Sequence, residues 1–356
     1  MADDYFTLSK AIIPEVFTDY VEETSTKTNR FIQSGITTSN FDIGNQLLQP
    51  GNVLTMPYIN DLSGKPQVWN DKHDIEVAST TTGTQYGFKF AQVKSFGRTD
   101  WSKIYSGAPI DQVIASRFGA YWARVDQYNL LNVVQGTLSN TDIATAKVFD
   151  DSANNFSARG FLATIALMGD LQDNAFSVIA VNSAAYAQMK ANQMIDTQIP
   201  QNTVVSPFGT YNGMRILVDD DIPLDGQVAT SYIFRTGSVG YQVATPDNAV
   251  EVFREPSKQG GRTSVINRRL AATHVMGATL SASAIAQIND EFDPDSLKNG
   301  SMWDCVVDPR KIGIVAYKAK VDKDFIPKKK ASSTTPSGSG SSAGGSGSTG
   351  GSGSSH

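Results

Sequence analysis

Gly51-Asn-Val-Leu-Thr-Met-Pro-Tyr-Ile59 and, further on, Tyr86-Gly-Phe-Lys-Phe90 are the stretches on which the fold turns. The first has the composition of a strand, and Pro57, which cannot donate to a ladder, suits an edge. In the second, Tyr86, Phe88 and Phe90 alternate with Gly87 and Lys89, the period of two that asks for a sheet. Between them stand the turn residues Leu62-Ser-Gly-Lys-Pro66 and a further stretch with Ile75-Glu-Val77. Residues 51–100 therefore read as long strands and turns with little helix to cover them. A two-stranded hairpin is marginal by itself in water. Its face must be covered by the chain's own core or by another copy of the chain.

The strongest helix follows. Ser106-Gly-Ala-Pro109 opens it, and Ile110, Ile114, Phe118, Tyr121, Trp122, Val125 and Leu131 mark a broad apolar face. Gly136 is read as its stop, giving roughly 27 residues and about 40 Å. That length marks a structural spine rather than an average globular helix. Arg117, Arg124, Asp111 and Asp126 fall off the stripe and read as solvated or paired with a neighbour. Upstream, Pro14 opens an amphipathic helix with Phe17, Val21, Thr24, Thr28, Phe31 and Ile32 at helical spacing, stopped by Gly35. It is either a surface helix of its own domain or an arm that docks on a neighbour.

Downstream, helix and strand signals alternate loosely. Residues 159–171 are helical in pattern, Phe176–Val181 reads as a buried strand, and Asn182-Ser183 offers an N-cap to the next helix. Met214–Val218, Ser231–Phe234, Ala249–Phe253 and Ser264–Ile266 read as further strands, so the class is α+β. The end of the chain, 331–356, is Ser, Gly, Thr and Ala with one proline and one terminal histidine. That composition has nothing to bury and reads as a flexible tail.

Composition narrows the function classes. The 356 residues are 40% hydrophobic and carry a net charge of −5, with a pI near 5.3, which argues against bulk electrostatic coating of nucleic acid. One cysteine, Cys305, and three histidines exclude a disulfide framework and disfavour a Cys/His metal centre. No apolar run reaches the roughly 18 residues of a membrane helix, and the acidic MADDYFTLSK start is unlike a secretory signal, so maturation in the cytosol is expected.

No catalytic constellation stands out. His73 sits in the polar run Asn-Asp-Lys-His-Asp, and His274 reads as a structural histidine rather than a base. Asp219-Asp220-Asp221 and the acidic run Asp290–Asp295 lack calcium-loop spacing and read as turn and cap residues. Lys318, Lys320, Lys323 and Lys328–Lys330 form a basic run without a stacking platform, hence a solvated face. No cofactor and no metal site is expected. The sequence supplies surfaces rather than a reaction centre.

The order of segments resembles tailed-bacteriophage major capsid proteins of the HK-ninety-seven-like fold. The similar phrases are Ile13-Pro-Glu-Val-Phe17 with Gln33-Ser-Gly-Ile36, Gly51–Tyr58 with Asp61-Leu62, and Ala120-Tyr-Trp-Ala-Arg124. They continue with Val178–Ser183, Asn212–Asp220, and Trp303 with Asp308 and Lys311-Ile-Gly-Ile-Val315. The resemblance implies an N-terminal arm (1–50) and an extended loop with flanking strands (51–107). It implies a peripheral domain with the spine helix (108–154, completed by 251–330), an axial domain (155–250) and the tail (331–356).

It also implies self-assembly as pentamers and hexamers into an icosahedral shell around double-stranded DNA, in a virion assembled in the bacterial cytoplasm. Inter-subunit contacts are expected from Phe17, Tyr20, Phe31, Trp69, Lys72, Tyr86, Phe88 and Phe90. The chain lacks the long charged helical extension that serves some relatives as a fused scaffold, which favours a separate scaffolding protein. A portal and a decoration protein complete the expected partners. Some relatives crosslink through a loop lysine; Lys65, Lys72 and Lys89 are available here, but no acceptor is assigned. The rival readings are an encapsulin-type compartment, a phage tail or baseplate component, and an enzyme with an unrecognised site at His274 or Asp219–Asp221.

Overall fold

The computed structural model describes residues 30–39, 41–60, 62, 64–69, 74–75, 77, 79–106, 110–169, 176–195, 210–289 and 291–326. The strands are β1 (Thr37–Thr38), β2 (Val53–Ile59), β3 (Thr82–Thr99), β4 (Val148–Asn155), β5 (Phe176–Val181), β6 (Thr210–Tyr211), β7 (Met214–Val218) and β8 (Leu224–Asp225). Then come β9 (Val228–Arg235), β10 (Val239–Ala244), β11 (Val250–Glu255), β12 (Arg262–Val275), β13 (Ala278–Leu280), β14 (Trp303–Cys305) and β15 (Ile314–Lys320). The helices are α1 (Arg30–Gln33), α2 (Phe41–Leu47), α3 (Asp100–Ser106), α4 (Ile110–Ser139), α5 (Thr141–Lys147), α6 (Ala158–Ala166), α7 (Ser183–Ala191) and α8 (Ala282–Gln287).

Strand β3 organises the first sheet, ordered β1-β10-β12-β3-β2 with β11 on β12. Its 18 residues serve two neighbours in succession. Thr82–Phe88 pair antiparallel with β2, and Lys89–Thr99 pair antiparallel with β12. Pro57 lies on β2, an edge, as its missing N–H requires. The second sheet runs β4-β15-β9-β5-β7-β6, with β8 on β9. It is buried on both faces. Val178, Ala180, Ile314 and Ala316 join the core that contains Leu130, Val133 and Val134 of α4. Ile179, Val181, Val315 and Tyr317 face a second core with Phe161 of α6 and Met189 of α7. That two-sided burial is why Phe176–Val181 reads as an apolar run rather than an alternation.

Helix α4 is 30 residues long and extends past Gly136 to Ser139. The reading of Gly136 as a stop is corrected, and packing gives the reason. A Cβ there would stand 1.8 Å from the Leu297 carbonyl oxygen and 2.5 Å from Trp303 Nε1. Gly136 is a notch over which the 3₁₀ turn Pro294–Lys298 and the fully buried Trp303 close, and Trp303 Nε1 donates to Leu297 O at 2.8 Å.

Asp126, expected to be solvated, is 4% exposed. It accepts from Tyr241 Oη at 2.7 Å and pairs with Arg269 at 2.7 Å, while Arg269 donates to Tyr241 Oη at 2.8 Å. Its helix neighbours are tethered as well. Gln127 Nε2 donates to Asp219 and Asp221 at 2.7 and 2.9 Å, Asn129 to Gln92 at 3.3 Å and Asn132 to Asp295 at 3.3 Å. The acidic runs are used locally, since Asp219 also accepts from the Asp221 amide, Asp220 from the Ser183 amide and Asp293 from the Asp295 amide.

Of the amphipathic segment that opens at Pro14, only α1 falls within the described residues, and Gly35 follows it at φ +83°. His73, Lys328–Lys330 and the tail lie outside them. The stretch Ile75-Glu-Val77 adds no strand among the described residues. Asn182 caps α7 as expected, accepting from the Ala185 amide.

Candidate assembly surface

Strands β2 and β3 leave the first sheet as a hairpin whose end is clasped before it opens. Asn60 N–H donates to Thr81 O at 2.9 Å, and Asn60 Nδ2 to Thr81 Oγ1 at 2.8 Å. The paired stem of the hairpin is anchored to the body along its length by directional bonds. Tyr58 Oη donates to Val306 O at 3.1 Å and the Tyr86 amide donates to Thr279 Oγ1 at 2.8 Å. Gly83 lies flat under the Tyr58 ring, where a Cβ would stand 2.4 Å from Tyr58 Oη.

Below this stem sits His274, 1% exposed. With its proton on Nε2, the ring donates to Gln85 Oε1 at 3.3 Å, while Nδ1 has no partner. Gln85 Oε1 also accepts from the Gly277 amide at 3.5 Å. Burial pushes the imidazole pKa down to about 4 from an ordinary 6.5. The folded state thus holds a neutral ring whose contribution is complete above about pH 6.5 and lost as pH falls towards 4. Acidification through that window is expected to cost on the order of 3 kcal/mol at this group. Urea midpoints at pH 7 and pH 4 check it, and His274→Gln should have the shallower pH dependence.

At the clasp and beyond it the chain exposes large apolar side chains. Ile59, Leu62, Val68, Trp69, Ile75 and Val77 are all at least 74% exposed, and Trp69 reaches 95%. Two smaller sets accompany them: Trp101, Ile104 and Tyr105 on α3, and Val250, Val252 and Phe253 on β11. Monomeric soluble proteins rarely leave so many side chains of this kind uncovered together, and such sets mark contact surfaces.

The eight residues expected to meet a neighbour are placed unequally. Phe17, Tyr20 and Lys72 lie outside the described residues. Phe31 is fully buried, edge-on to Phe234 at 6.2 Å, and Phe88 and Phe90 stack T-shaped at 4.9 Å in the same core. Tyr86 is partly buried against that core. In the single chain these four face its own interior: at its Phe88–Phe90 end β3 has joined the main sheet, and the alternating face lies over the core. Of the five that are described, Trp69 alone stands on open surface. The exposed residues of α3 and β11 were missed, although Trp101-Ser-Lys-Ile-Tyr105 carries apolar residues that no core stripe claims. Among the described residues no group of three or more His, Cys, Asp or Glu side chains is placed to share a metal ion. Likewise none of their helices is long and apolar enough to cross a membrane.

No family model matches the chain. It is, however, 31% identical over 327 residues to the major capsid protein of Bacillus phage SPP1, covering 89% of this chain and 99% of that one. The chain belongs to the phage major capsid proteins. Solved structures agree on the fold at low identity. The capsid of Ralstonia phage GP4 matches with a TM-score of 0.60 at 8% identity, over 88% of this chain and 98% of that one. The capsid of cyanophage Pam1 matches with a TM-score of 0.60 at 12% identity, over 91% and 100%. The fold is therefore the HK-ninety-seven-like α+β fold. This capsid protein is a structural, self-assembling component of the virion shell and not an enzyme. The encapsulin and tail readings are not favoured.

Proposed function

We propose that this capsid protein closes into an icosahedral shell of pentamers and hexamers around double-stranded DNA, with the extended hairpin as its principal inter-subunit element. The observation that carries this is the apolar set beyond the Asn60–Thr81 clasp, exposed in the single chain at the end of the β2–β3 stem. At about 25 cal/mol per Å², burying such side chains on a neighbour yields several kcal/mol per contact before association costs. Many weak contacts closed by symmetry give a stable shell whose single errors stay reversible.

In this reading residues 1–50 form the arm, 51–107 the extended loop with its strands, 108–154 and 251–330 the peripheral domain, and 155–250 the axial domain. Assembly takes place in the bacterial cytoplasm with a separate scaffolding protein, and the shell also meets a portal and a decoration protein. The mildly acidic charge suits a wall that must not grip packaged DNA everywhere. Sedimentation velocity and negative-stain microscopy of the purified chain test the proposal: closed particles are expected, and a strict monomer under all conditions would overturn it. Removing 331–356 is expected to leave particle yield and diameter unchanged in the same assays, because Ser/Gly-rich sequence has no apolar surface to contribute.

A further inference from the structure

A cavity of about 200 Å³ lies between the second sheet and the last turns of α4. Strand register builds its floor. Lys318 on β15 stands opposite Thr230 on β9, and Ala316 opposite both Tyr232 on β9 and Val148 on β4. Cross-strand partners share a face. This face is the one turned to α4, since Ala316 and Tyr232 join the core that contains Leu138. Gln135 and Ser139 of α4 form a wall, and Lys298, the last residue of the 3₁₀ turn Pro294–Lys298, completes the polar lining.

The polar groups of this lining are unmet. Tyr232 is only 3% exposed, yet its hydroxyl has no hydrogen-bond partner among the described residues. Burial holds the phenol pKa far above its ordinary value, so the group stays a donor. The side chains of Gln135, Thr230 and Lys318 likewise make no hydrogen bond to the described residues. Lys298 gives one of its three N–H groups to Tyr128 Oη at 2.7 Å and keeps the others. A buried donor without a partner costs about 1–3 kcal/mol, and several around one cavity mark the place of a ligand that accepts.

Charge and size select that ligand. Two lysines and no carboxylate line the cavity. Asp150, beside Lys318 on β4, is turned to the Ser152 amide at 3.0 Å. The end of the α4 dipole brings only about half a negative charge against the two ammonium groups. At about 30 Å³ per water-sized group, the space admits a tetrahedral oxyanion of five heavy atoms with a water or two. A ligand of nucleoside size is too large, since sites for such molecules start at roughly 300 Å³. We propose that this cavity is a phosphate site, in which Lys298, Lys318, Tyr232, Thr230 and Gln135 donate to one phosphate group. That group comes from free inorganic phosphate or from a phosphodiester of enclosed DNA; the second source rests on the shell-building reading above.

The test is equilibrium dialysis of the full-length chain against ³²P-orthophosphate at constant ionic strength. A single saturable site per chain is expected, displaced by sulfate and not by chloride. Lys318→Met and Tyr232→Phe should each weaken it by about tenfold or more, whereas Lys320→Met, outside the lining, should leave it unchanged. Tyr232→Phe removes a hydroxyl that makes no bond in the free chain, so its urea midpoint should not fall and its effect reads the ligand alone. No saturable uptake, or uptake indifferent to both substitutions, overturns the site. A short DNA duplex added to the dialysis separates the sources: displacement of the label assigns the site to DNA backbone, and retention assigns it to free phosphate. Uptake by a chain that never forms shells would uphold the phosphate site while the shell-building reading fell.

Discussion

With residues 62–79 replaced by an Asn-Gly turn, the subunit folds and closed shells disappear. The excision keeps the whole β2–β3 pairing from Val53↔Phe88 to Ile59↔Thr82, together with the Tyr58, Gln85 and Tyr86 anchors along the stem. It removes Leu62, Val68, Trp69, Ile75 and Val77, all exposed in the single chain. If each side chain is buried on a neighbour, the loss is on the order of 10 kcal/mol per subunit before association costs. No rearrangement of the remaining edges compensates a change of that size. Urea unfolding should give a midpoint close to that of the parent chain, and microscopy should show no particles. Shells of normal diameter from the excised chain would refute the assignment of the hairpin as an assembly element.

The second large effect is expected inside one helix. Gly136→Ala drives a methyl group into the Leu297 carbonyl and the Trp303 indole, so the Trp303–Leu297 hydrogen bond must break or the 3₁₀ turn must lift. The expected loss is about 3–5 kcal/mol. Gly119→Ala, in the same helix with nothing within 4 Å of the added carbon, should instead gain about 0.5–1 kcal/mol from helix propensity. Urea denaturation of the two variants side by side separates close packing from propensity. Equal effects would mean that the notch does not exist.

Much of this was legible in the sequence, because strands and helices declare themselves through local patterns. The Tyr86–Phe90 alternation, the apolar Phe176–Val181 run and the Asn182 cap are each set by a few adjacent residues. What escaped notice depends on contacts far along the chain. Gly136 looks like a terminator until Leu297 and Trp303 close over it, some 160 residues away. Asp126 looks solvated until Tyr241 and Arg269 supply its partners. Lys147 reads as an ordinary polar end of a helix, yet it is fully buried, donating to Met168 Sδ at 2.8 Å and Arg310 O at 3.2 Å, and burial pulls its pKa down to about 8. For the assembly surface, periodicity identified the hairpin but assigned its ordered alternating face to a neighbour. The side chains left uncovered come from the irregular stretch, where no period exists to read.

The polar tethers along α4 have a mechanical consequence. A rod seated only on oily contacts can roll or slip by a fraction of a turn at little cost. Asp126, Gln127, Asn129 and Asn132 instead bond to residues of β10 and β12, of the Asp219–Asp221 turn, of β3 and of the Pro294–Lys298 turn. Two of these bolts sit on the first sheet and two on separate turns, and together they fix both the rotation and the axial position of the shaft. A strain applied to β3 is therefore expected to move the shaft as one piece with the sheet and turns it is bolted to, instead of being spent in sliding.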